Sequence, residues 1–209
     1  MNGQTLVDEV REARGTELDR LKSEKALLAA TAADLSGQTI LRTIALSLSG
    51  LRSTLEGWAG EAAVDPARES FAGAAASLQE EHERVVAELG AEPPGDPPVP
   101  IPTVRGFDDP PEQVGAAFVG HGLVFDGLLL QAVSFFVNEA ETRRADLVRD
   151  LRAAATGRVD DGASALDPLC ADDGDWERAQ SGATDVVNAA YADYAETLGG
   201  MGIDPKPVC

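Results

Sequence analysis

The feature that most restricts this chain is the run of prolines in its middle. Eight of its twelve prolines stand between Pro93 and Pro111, in the segment EPPGDPPVPIPTVRGFDDPPEQ. Proline lacks a backbone donor and clashes with the preceding turn, so neither helix nor central strand is expected to persist there. The stretch is too short to tether independent domains loosely, and Val99, Ile101, Val104 and Phe107 give it an apolar side that predicts it lies along a surface. The chain is therefore read as one domain over 1–209, with one helical set before a crossover at 90–110 and a second set after it. Crossovers of this kind let a second helical pair join the first in an order that short loops forbid.

Before the crossover, residues 39–89 read as a helical pair. Leu41, Ile44, Leu48, Leu51, Leu55 and Trp58 recur at steps of three and four, a seam without a carboxylate. After a short turn at 60–64, Asp65 is placed to cap a second helix with Pro66 in its first turn. Its seam is Phe71, Ala75, Leu78, His82, Val85 and Leu89, so His82 points inward with Gln79 beside it. Glu80, Glu81, Glu83 and Glu88 fall mainly on its flanks and wet face. The short turn makes the two helices antiparallel neighbours. Residues 1–35 are expected to add an N-terminal helix from Thr5 to Asp34, with Leu18, Leu21, Leu28 and Leu35 on one stripe and Lys25 interrupting it. The break at 35–38 ends it, and Thr39 is the expected cap of the next helix.

The second set spans 111–199. Val114 to Val137 is apolar on two faces and long enough to span a bilayer, but His121, Asp126 and Gln131 interrupt it and no basic anchor precedes it. It is read as a buried central helix. Its glycines predict close approach by a neighbour or room for a ligand. A further helix begins after Asn138, carries Val148, Leu151 and Ala155 inward, weakens towards Leu166 and ends at Pro168. The last helix runs from about Asp175 to Leu198 with Trp176, Ala183, Val187, Ala190, Tyr194 and Leu198 as its stripe, and residues 200–209 are expected to be an extended tail. No stretch alternates as a strand does, so the class is all-α.

Charge narrows the partners. The formal net charge is −19, with 36 acidic residues against 17 Lys and Arg. Nothing in such a chain replaces the counterions around phosphate, which argues against nucleic acid and anionic membrane as partners. The apolar periodicity is intact, so the acidity does not signal disorder. It fits a cytoplasmic protein of a salt-accumulating, halophilic cell. The amino terminus lacks the apolar core of a secretory signal. Cys170 and Cys209 have neither metal-ligand spacing nor a neighbouring base; sequence leaves their pairing as a disulfide undecided.

The two paired helices, the ending LQEEHERVVAEL, the long crossover and the later helices together resemble a ferritin-like bundle of the rubrerythrin-related kind, over roughly Thr39 to Leu198. In that family a carboxylate from each of two helices and a Glu-x-x-His from each of the other two hold two metal ions in the bundle core. The resemblance puts His82 at one histidine position, with Gln79 where its glutamate should stand. A neutral amide cannot offset the charge of two cations. Phe118 stands three residues before His121, so His121 does not complete a second motif. The resemblance therefore implies a bundle that has lost its di-metal chemistry and serves as a binding, assembly or stress-related module, with no cofactor and with pairing as a homodimer. The first alternative is an iron- or manganese-dependent oxidoreductase or peroxidase using His82, His121 and Asp126, although His121 and Asp126 are about 140° apart on an ideal helix. The second is a small-molecule enzyme similar to the thiaminase II group, which would need a nucleophilic cysteine in a bundle pocket. The candidate ligand-binding set is Gln79, His82, His121 and Asp126, with Tyr191 and Tyr194 reaching the same interior.

Overall fold

A computed structural model describes residues 1–206, which leaves Cys209 and its pairing outside the described residues. Within them the chain is helical, without strands: α1 (Gly3–Ala13), α2 (Gly15–Leu21), α3 (Glu24–Ala30), α4 (Gly37–Glu61), α5 (Asp65–Leu89), α6 (Pro100–Arg105), α7 (Pro110–Val114), a π-helical segment (Gly115–Gly120), α8 (His121–Asn138), α9 (Thr142–Leu169) and α10 (Asp173–Gly200). The α4 seam behaves as its spacing predicts: Leu41, Ile44, Leu48, Leu51 and Leu55 are completely buried. Across the 62–64 turn α5 packs along α4, and Trp58, Phe71 and Phe118 stack in series with ring centroids 5.4 and 6.2 Å apart. Gly90 closes α5 in a left-handed conformation, φ 84°, where glycine meets no steric penalty.

Four helical walls close a ring. α4 lies against α5, α5 against α9, α9 against α8, and α8 returns to α4. α10 packs outside this ring on α7 and the π segment, while α1, α2 and α3 cover the faces of α8, α9 and α10. The approach of α10 is close because Gly115 has no side chain: a Cβ there would stand 2.0 Å from the carbonyl oxygen of Ala179. The segment Pro110–Asn138 has the length and apolarity of a membrane span, yet 67% of its most apolar window is buried against the other helices.

Several local expectations are corrected. Thr5–Asp34 is three short helices, because Gly15 and Ser23 interrupt the pattern and Ser23 Oγ turns back to the Arg20 carbonyl at 2.7 Å. Two alanines in the left-handed region, Ala32 at φ 48° and Ala33 at φ 67°, end the last of them, leaving Leu35 45% exposed and off the stripe. Ser36, not Thr39, caps α4 by accepting from the Thr39 N–H at 3.2 Å. Asp65 makes no cap and pairs with Arg68 instead. The crossover holds one short helix after all, α6, opened by Pro100 and anchored by fully buried Ile101 and Val104. α9 continues without weakening to Leu169, carrying Pro168 in its last turn, and α10 begins at Asp173 through a reciprocal cap between Asp172 and Asp175. Lys25 donates to the carbonyls of Asp204 and Lys206 at 2.8 and 2.7 Å, which ties the end of the described chain to α3.

Candidate functional site

Buried polar side chains stand on all four walls of the ring, and four of them form two pairs. Ser47 comes from α4, Glu81 from α5, His121 from the start of α8 and Arg158 from α9. Arg158 grips Glu81 with both terminal nitrogens, at 2.9 and 3.0 Å, and the two side chains are only 5% and 8% exposed. Ser47 Oγ lies 3.1 Å from His121 Nε2. The His121 ring stacks on Phe125, with centroids 5.3 Å apart, while its buried Nδ1 has no hydrogen-bond partner. Burial, and then the positive charge of Arg158, push the His121 pKa down to about 3. The ring is therefore neutral at any ordinary pH.

The π segment matters here. Its wider turns, which carry the His121 N–H back to the Ala116 carbonyl, change the angular phase at which α8 begins. His121 consequently faces Ser47, at one end of a cavity of about 380 Å3. The walls are alanines of α3, the side chains of Val124, Phe125 and Leu128, the Pro97–Pro100 run of the crossover, and Tyr194 of α10. Tyr194 is 3% exposed and donates to the Pro205 carbonyl at 3.1 Å.

Of the six candidate residues, the structure brings His121 and Tyr194 to this cavity. The others lie elsewhere. Gln79 is half-buried and donates to Glu83, four residues on. His82 is buried, with Nε2 3.0 Å from a carboxylate oxygen of Glu92, and it lines a separate open cleft with Gln79 and Arg52. Asp126 pairs with Arg152 at 2.7 Å and Lys22 at 3.6 Å on the outer side of α8. Tyr191 takes a hydrogen bond from Arg20, whose guanidinium also lies over its ring. Glu81 is not on the wet face as its flanking position implied, because the buried arc of α5 runs through Leu78, Glu81, His82 and Val85.

The three candidate metal ligands do not converge. His82, His121 and Asp126 each have a different partner, and among the described residues no three His, Cys, Asp or Glu side chains gather where an ion could be held. Glu81, the one buried carboxylate among the described residues, is already paired with Arg158. Nor is Ser47–His121 a hydrolytic pair. A base with its pKa near 3 takes little proton from a hydroxyl, and no carboxylate orients Nδ1. Burial, and then Asp175 and Asp167, push the Cys170 thiol up to about 11, which leaves little thiolate at neutral pH. What the interior can do is present neutral hydrogen-bonding groups at the base of an apolar hollow. Comparisons of the chain with family models, with curated proteins and with solved structures returned no match.

Proposed function

We propose that this chain is a divergent ferritin-like bundle of the rubrerythrin-related kind that has given up di-metal redox chemistry and works as a small-molecule binding module. The order of the walls supports it: a helical pair, a long crossover and a second pair, with α5 beside α9 and α8 beside α4, is the connectivity such a bundle requires. Ser47, Glu81, His121 and Arg158, drawn from all four walls, also parallel the family's habit of taking ligands from all four helices. The observation that carries the loss of metal chemistry is the Glu81–Arg158 pair, in which a fixed guanidinium supplies the positive charge that a metal ion would otherwise bring. The charge of −19 suits a salt-rich cytoplasm.

The test is the metal content of protein purified in high salt, incubated with ferrous and manganous ions, desalted and measured by elemental mass spectrometry. The expected outcome is a substoichiometric trace, unchanged in Glu81→Ala and His121→Ala. One or two ions per chain, lost in either variant, would overturn the proposal and return an iron- or manganese-dependent oxidoreductase to first place.

A further inference from the structure

The cavity over Ser47 and His121 is built more selectively than a packing defect. Its volume of about 380 Å3 lies in the range of small-ligand sites, which are mostly apolar with a few placed polar groups. Among the described residues lining it, the one charged side chain is Asp193, which is exposed. The polar end is uncharged, because His121 stays neutral there. Arg158 lies close enough to disfavour a second positive charge at that end. A carboxylate ligand meets no cation in the lining and must enter a chain of net charge −19.

Ser47 and His121 nevertheless keep hydrogen-bonding capacity to spare. A hydroxyl has one donor and two lone pairs, and a neutral imidazole exchanges donor and acceptor between its nitrogens. When the Ser47 hydroxyl donates to Nε2, its oxygen accepts from a ligand alcohol. When Nε2–H donates to Ser47, the hydroxyl proton is free for a ligand carbonyl. Ser47 lines the cavity and, among the described residues, its hydroxyl is hydrogen-bonded only to His121, so it remains able to take a second partner.

We propose that this cavity binds one small uncharged molecule with an apolar ring or chain and a single hydroxyl or carbonyl, its body against Phe125, Leu128 and the alanines of α3 and its polar group on Ser47. This names the ligand class for the binding role proposed above and rests on that reading.

The experiment titrates the intact chain, in the salt that keeps it folded, with three probes of one shape: 2-naphthol, naphthalene and 2-naphthoate. Binding is read by calorimetry and by naphthyl fluorescence. One 2-naphthol per chain is expected, with naphthalene about three- to tenfold weaker for lack of the hydrogen bond. The carboxylate 2-naphthoate should bind more weakly than either. Ser47→Ala should bring 2-naphthol down to the affinity of naphthalene and leave naphthalene unchanged. Ala29→Leu, which grows into the cavity from a half-buried position on α3, should weaken both while the melting transition is retained. Three results would each overturn the inference: no saturable binding of 2-naphthol up to millimolar concentration, 2-naphthoate bound as tightly as 2-naphthol, or Ala29→Leu binding like the parent chain. The metal assay separates the two failures, since protein that holds neither metal nor 2-naphthol refutes this inference and leaves the metal-free bundle standing.

Discussion

Removing one partner of the Glu81–Arg158 pair tests how the interior of the bundle is held together. Glu81→Ala leaves a guanidinium whose side chain is 5% exposed, with the carboxylate that accepted bonds at 2.9 and 3.0 Å gone. Both charges have already left water in the parent chain, so the variant bears most of a desolvation cost that the pair had offset. Unmatched buried charges of this kind cost about 3–5 kcal/mol. At roughly 2–4 °C per kcal/mol for a chain of this size, the melting temperature should fall by about 6–20 °C. The double variant Glu81→Leu with Arg158→Met removes both charges and keeps the volume filled, and it should lie within about 1 kcal/mol of the parent or above it. The assay is thermal and urea unfolding of the parent, both single variants and the double variant, at two concentrations of potassium chloride. A dry pair is poorly screened, so the coupling should survive the higher salt. The reasoning is refuted if Glu81→Ala costs less than about 1 kcal/mol, or if the double variant is as unstable as the two single losses added together.

Acid should act through His121. Its folded pKa of about 3 lies below the ordinary 6.5, so the native state binds fewer protons between those values; the stability tied to the neutral ring is complete above pH 6.5 and is lost as pH falls towards 3. The parent should therefore lose stability faster than His121→Leu in that window, by up to about 1.4 kcal/mol per pH unit, and parallel curves in urea titrations would contradict this. Gly115→Ala should cost about 2–3 kcal/mol, because its Cβ would meet the Ala179 carbonyl oxygen at 2.0 Å, whereas Gly73→Ala, with nothing within 4 Å, should gain about 0.5–1 kcal/mol; melting curves of the pair check both signs. In a Cys209→Ser background, Cys170 should alkylate at pH 8 at least roughly tenfold more slowly than free cysteine, since its thiol is pushed up to about 11; a rate near that of free cysteine counts against it.

The long helices were legible because their information is local. Steps of three and four along Leu41–Trp58 and Phe71–Leu89, joined by a short turn, specify two helices and their mutual face without reference to the rest of the chain. The N-terminal segment is three helices where its leucine stripe predicts one, because that stripe continues across Gly15 and Ser23, where the backbone turns. The π segment has no periodicity of its own to announce it, so the facing of His121 could not be derived from an ideal helix. Asp126 is explained by Arg152, on the next helix, which no spacing within α8 reveals. Arg158 carried a readable signal: it continues the inward stripe Leu151, Ala155 and leads to Gly162, all buried. Its partner Glu81 lies on another helix, so spacing within α9 does not reveal the pair. Glu81 sits beside His82 on the same buried arc, whereas Gln79, the position the resemblance singles out, faces Glu83.

The docking of α1, α2 and α3 has a consequence for synthesis. Their apolar faces, Leu6, Val7 and Val10 among them, are covered chiefly by α8, α9 and α10 rather than by one another or by α4 and α5. On the ribosome these helices emerge well before the helices that cover them. At about 5–20 residues per second, the nascent chain carries that uncovered amphipathic segment for roughly ten to forty seconds before α10 follows it out. During that interval α4 and α5 can already pair, so the natural order of assembly runs from the middle of the chain outward. Residues 3–30 are the part of the molecule most exposed to capture by chaperones or to misassociation between neighbouring chains on one message.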